Sequence, residues 1–165
     1  MDFNANFGEI SWVHLFMPPR DMNTAAYKSK FVNMAPYHAC TIIAATNTGT
    51  AGTDMSLQFN QAQDVDGTIT KLLTVKNVFY ARASNFQAYT GGWTRIDELN
   101  SYVYQPNDSA ENQTIFCATV LASEMMVNEG FNHIGIEIQA VGSTQLGSVI
   151  GLFTPARYNP VPGVV

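Results

Sequence analysis

The stretch from Asn132 to Pro160, NHIGIEIQAVGSTQLGSVIGLFTPARYNP, constrains the fold more than any other part of the chain. Ile134, Ile136 and Ile138 share one parity, while Gly135, Glu137 and Gln139 share the other. Side chains alternate between faces along a strand, so this period of two marks a sheet with one buried side. Further on, Val149, Ile150, Leu152 and Phe153 run nearly without interruption from Ser148 to Thr154. That pattern predicts an interior strand covered on both faces. No nucleophile, metal cluster or phosphate loop accompanies these strands.

The same reading extends toward the N-terminus. Residues 1–9 have no period and read as an arm. Ile10 to Met17 alternates, with Trp12, His14 and Phe16 on one face, and Pro18-Pro19 is expected to stop it. Lys30 to Met34 is a short second segment. Tyr37 to Thr46 is the clearest early strand, with Cys40, Ile42 and Ala44 on one parity, and the small-residue run Asn47 to Thr53 turns the chain. Met55, Leu57 and Phe59 alternate with polar residues, which predicts that Asp54 to Ala62 is its hairpin partner. Between Thr68 and Ala83, β-branched and aromatic residues favour a strand after Leu72. Phe86 to Tyr89 and Trp93 to Ile96 flank Gly91-Gly92, and Gln105 to Asn112 is a polar loop. Thr114 to Leu121 is a further strand, and Ala122 to Met126 a helical turn that Ser123 can cap. About eight or nine short strands with frequent turn signals predict an all-β, antiparallel sandwich or barrel, jelly-roll-like, with at most one short helix. The organisation expected is one domain over 10–158, flanked by an N-terminal arm over 1–9 and a C-terminal tail over 159–165.

Composition narrows the class of partner. A chain of 165 residues buries roughly 70% of its unfolded surface, so a core forms without disulfides or metal. Only 13% of residues are charged, against the roughly 25% usual in soluble proteins. A surface so weakly charged resists association poorly, which points to partner subunits covering part of it. The net charge of −5, with scattered Lys and Arg, argues against direct nucleic-acid binding. No apolar run reaches the ~18 to 20 residues of a membrane helix, and the N-terminus has neither a basic start nor an apolar signal core. The expectation is a protein made in the cytoplasm and not exported. Cys40 and Cys117 are accordingly expected as reduced, buried thiols, and the sequons at Asn107 and Asn112 as plain loop residues.

Sites of chemistry are sparse. His14, His38 and His133 lie on different strands without an i+2 or i+4 ligand partner, and His38 is expected to share a face with Cys40 and be partly buried. Asp64-Val65-Asp66-Gly67 resembles the opening of a calcium loop but has no downstream bidentate Glu. Asp97-Glu98 diverge on an extended chain and so cannot oppose one another as a glycosidase pair requires. No catalytic residue, metal or cofactor is expected. Aromatic residues make up 12% of the chain and gather around loops and strand ends. Such rings serve protein interfaces and sugar platforms alike, and the interface is the reading preferred. The candidate interface residues are Phe3, Phe7, Tyr89, Trp93, Tyr102, Tyr104, Arg157 and Tyr158.

One family fits this rhythm. Thr114 to Leu121, the turn Ala122-Ser123-Glu124-Met125, the strand Phe131 to Val141 and the closing strand Ser148 to Thr154 with Ala156-Arg157-Tyr158 follow one another in that order. The chain thereby resembles the capsid decoration, or cement, proteins of tailed bacteriophages. Glu9-Ile10, Lys28 to Met34 and Ala39 to Ile43 fit the front of the same pattern, while Phe86 to Tyr104 and Asn159 to Gly163 depart from it. The resemblance implies a non-enzymatic β-rich plug on the outer surface of the phage head. It would clamp the major capsid protein together with other copies of itself, as a homotrimer, after assembly in the bacterial cytoplasm. A carbohydrate- or receptor-binding sandwich of a tail or surface fibre, with Tyr89, Trp93, Tyr102 and Tyr104 as its platform, is the alternative.

Overall fold

The computed structural model describes residues 11–23, 25–88, 90–96, 103–104 and 112–155. The strands, in chain order, are β1 (Trp12–Asp21), β2 (Tyr27–Lys28), β3 (Val32–Asn33), β4 (Tyr37–Thr46), β5 (Leu57–Ala62), β6 (Thr70–Leu72), β7 (Asn77–Ala83), β8 (Thr94–Ile96), β9 (Val103–Tyr104), β10 (Gln113–Leu121), β11 (His133–Ile138) and β12 (Leu146–Pro155). Single 3-10 turns at Phe86–Ala88, Ala122–Glu124 and Val127–Glu129 take the place of one short helix. Two antiparallel sheets form a sandwich, as the alternation predicts. The first runs β1-β12-β4-β10-β7-β8, and the second β2-β11-β5-β6 with β3 also on β11 and β9 on β5.

The core lies between the sheets and is made by the buried parity of each strand. Ile42 and Ala44 of β4, Phe116 and Ala118 of β10, and Val149 and Phe153 of β12 face Leu57 and Phe59 of β5 and the three isoleucines of β11. Phe59 and Phe116 meet across the gap with ring centroids 6.3 Å apart. At one end, Trp12 stacks on Tyr37 at 5.7 Å and Phe153 lies 5.0 Å from Tyr37. Gly151 makes room for this cluster, since a Cβ there would sit 2.5 Å from Phe16. Such full burial of an aromatic or aliphatic side chain stabilises the fold by about 1.5–3 kcal/mol.

Several expectations change in the folded chain. Pro18-Pro19 does not end the first strand: β1 continues to Asp21 because it is an edge strand, where a missing N–H breaks no ladder, and register shifts at Leu15/Met17 and Met17/Arg20 absorb the prolines. The segment from Lys30 to Met34 contributes only β3, a two-residue bridge to β11. Asp54 to Ala62 is not the hairpin partner of β4; β5 lies in the opposite sheet beside β11, and β4 sits between β12 and β10. Alternation specifies a face, not a partner, and residues 47–56 are long enough to carry the chain from one sheet to the other. Ser123 does not cap its turn. The Glu124 carboxylate instead accepts the Leu121 N–H at 3.0 Å.

Candidate protein-docking face

β12, β4 and β10 are adjacent in the first sheet, and none of their residues is Asp, Glu, Lys or Arg. Their core-facing parity is fully buried, which leaves the other parity as an outer surface. The ladders align that surface in rows. One row runs Leu15, Ile150, Ile43, Cys117 and Phe79 across five strands. A second runs Val13, Leu152, Thr41 and Thr119, whose two threonine hydroxyls hydrogen-bond to each other at 3.1 Å. A third carries Ser148, Ala45, Ile115 and Ala81.

At the margins the apolar groups stand in the open: Val13 is 50% exposed, Leu15 49% and Leu146 51%. Where Leu146 ends the face, Pro19, Ala45, Phe86 and Ile115 help to line a groove of about 300 Å³. One step beyond the Tyr80–Thr94 pair of the β7–β8 ladder lies Trp93, 55% exposed. Charge enters at the margins: Arg95 of β8 is opposite Phe79 at one edge, and Asp21 of β1 is opposite Leu146 at the other.

The second sheet differs on its outer side. That parity carries Gln58, a buried Asn60 and Glu137, with Lys28 of β2 opposite Glu137, but also Leu72, 39% exposed, and Gly135, on which the buried Phe31 ring packs. Gln58 donates to the Asn60 side chain at 3.0 Å, and Gln139 to Glu137 at 3.0 Å. An antiparallel sheet with one wet face alternates apolar-in and polar-out. The second sheet follows that rule in part, and the three central strands of the first depart from it.

This corrects the reading of Ser148 to Thr154 as a strand covered on both faces. β12 is interior to its ladder, but Ile150 and Leu152 on its outer side are only partly buried and Thr154 is exposed. Apolar residues on both parities say that both faces seek cover; they do not say that this chain supplies it. The charge-free strands β4, β10 and β12 were the signal that attention to loop aromatics passes over.

Of the aromatic candidates, Trp93 is exposed beside β8 in the first sheet, whereas the backbone of Tyr104 pairs with Leu57 in the second. The structure therefore sets these two on different sheets. Phe3, Phe7, Tyr89, Tyr102, Arg157 and Tyr158 lie outside the described residues, as do both terminal segments and Asp97-Glu98.

The titratable groups are dispersed. His14 sits between the rings of Trp12 and Phe16, at 5.6 and 4.9 Å, and burial pushes its pKa down. His38 is exposed and does not share the buried parity of Cys40, because a register shift against β12 falls between Tyr37 and Ala39. His133 is half-buried on the second sheet. In the Asp64 turn the carboxylate accepts the Thr68 N–H at 3.1 Å, which lowers its pKa, and Lys30 pairs with Asp66 at 2.7 Å. Among the described residues no group of three His, Cys, Asp or Glu is placed to hold a metal ion. Both cysteines are free. They point to opposite faces of one sheet, Cys40 into the core and Cys117 onto the outer surface, and burial raises the pKa of each.

The molecule is thus a two-sheet β-sandwich whose first sheet carries a charge-free outer surface over β12, β4 and β10. No protein-family model matches the chain, and no curated protein sequence matches it. Among solved structures it is similar to the SPBc2 prophage-derived protein YomS, with a TM-score of 0.45 and 10% identity, covering 87% of this chain and 91% of that one.

Proposed function

We propose that the chain is a non-enzymatic structural protein of a bacteriophage virion, a decoration protein that binds the outside of the head and clamps neighbouring major capsid subunits. The observation that carries this reading is the apolar, charge-free outer side of β12, β4 and β10 in the first sheet. Exposed apolar patches of this extent mark interaction surfaces. Placement on a capsid draws on the resemblance of Thr114 to Tyr158 to the decoration proteins.

Clamping follows from mass action. A protein that binds the assembled shell but not free subunits adds about 2.7 kcal/mol per site at a hundredfold excess over Kd. The experiment is to mix purified protein with undecorated heads and image them. Regular added density on the outer surface supports the proposal, and bare shells at saturating protein oppose it. The exposed Trp93 ring favours a second reading, a sugar-binding module of a tail or surface fibre, in which Trp93 stacks on glycan. Glycan-dependent quenching of Trp93 fluorescence would move the assignment there.

A further inference from the structure

We infer that the outer face of the six-stranded sheet is the surface on which a second copy of this chain packs, face to face across a two-fold axis. The inference goes beyond shell binding and does not rest on it.

The first argument is charge. β12, β4 and β10 present no charged residue, so a partner bringing Lys or Glu to this face would bury charges with nothing to pair them. The central strands of another copy bring none, and its Arg95 and Asp21 fall at opposite margins of the face. Its polar groups are equally suited to self-contact, because Thr41 and Thr119 already satisfy each other within one sheet. The second argument is size. Five strands at ~4.8 Å spacing and three rows at ~7 Å give a footprint on the order of 500 Å² in projection, and more once side-chain relief is counted. That approaches the ~800 Å² per partner of a stable interface.

The third argument removes the competing mode. Sheets also associate edge to edge, but β1 carries exposed Pro18 and Pro19 and two register shifts, and β8 at the other edge is three residues long. Both edges are blunted in the way that prevents strand addition. For this sheet, that leaves the face. An interface between two like faces closes at two copies. A two-fold pair therefore differs from the trimer that the resemblance implies, and mass decides between them.

Cys117 supplies an internal probe. It sits in the central row of the face between Ile43 and Phe79, whereas Cys40, the other cysteine, is buried in the core. The test combines sedimentation equilibrium of the full chain with the rate at which a maleimide labels Cys117. The expected mass rises with concentration from 18.1 kDa to twice that value, and labelling slows by about tenfold over the same range. Leu15→Lys and Ile43→Lys should each hold the mass at one chain and restore labelling; Leu15 lies on the edge strand and half in solvent, so its variant tests the face with little risk to the fold.

Three results would overturn the inference. One is a mass of three chains. Another is a monomer with Cys117 protected at every concentration, meaning that a segment of the same chain covers the face. The third is a monomer with Cys117 freely labelled. Shell attachment is read separately on the parent protein: heads that it decorates leave the shell reading intact whatever its mass in solution, and pairs that never attach remove that reading while leaving the pair.

Discussion

Thr46 and Thr114 face each other across the β4–β10 ladder on the core side, and both hydroxyls are buried without a hydrogen-bond partner. A buried hydroxyl without a partner costs about 1–3 kcal/mol. Thr114→Val keeps the shape and removes one such group, so denaturant unfolding should show a gain of about 1 kcal/mol. A loss of stability of similar size would mean that the hydroxyl has a partner. His14 makes a second prediction at this scale. Burial between Trp12 and Phe16 holds its pKa below the ordinary 6.5, so the unfolded chain binds more protons than the folded one between those two values. The neutral ring's contribution is therefore complete above 6.5 and fades as the pH falls through the folded value. The melting temperature should drop on acidification from neutral to about pH 5, and His14→Gln should flatten that slope. An equally steep slope in the variant would contradict the assignment.

At the scale of elements, what stood in the sequence was the face each strand turns inward. β4 and β10 were legible almost to the residue, because Cys40, Ile42 and Ala44, and Phe116, Ala118 and Val120, alternate without a break between clear turn signals. Pairing was not legible in this way. Met55, Leu57 and Phe59 alternate as a hairpin partner would, yet β5 pairs with β11, since a period of two carries no information about the neighbouring strand. Pro18-Pro19 misled for a related reason: proline stops an interior strand but is tolerated at an edge, and only the tertiary ladder shows that β1 is an edge. Those prolines guard that edge. Replacing both with Thr should leave the melting temperature nearly unchanged but raise light scattering on concentration, through strand addition at β1. A double variant as soluble as the parent would show that the bulges alone suffice.

For the whole molecule, the sequence's low charge leads to the expectation of partners, and the sequence reading looks for them at the loop aromatics. Among the described residues the structure adds a charge-free apolar surface on the outer parity of β12, β4 and β10. The apolar residues Ile43, Ile115, Ile150 and Leu152 were visible from the start, but apolar side chains on both parities look the same whether the second layer comes from the same chain or from another. The fold places these four residues together on the outer side of the first sheet.

The central claim is that this apolar side binds protein and that its binding holds a phage head together. The most direct measurement heats heads with and without the bound protein and records the temperature at which packaged DNA becomes accessible to an intercalating dye. The expected result is a higher release temperature for decorated heads, returning to the bare-shell value when Ile43→Lys replaces the parent. Identical release temperatures for bare and saturated heads would contradict the claim.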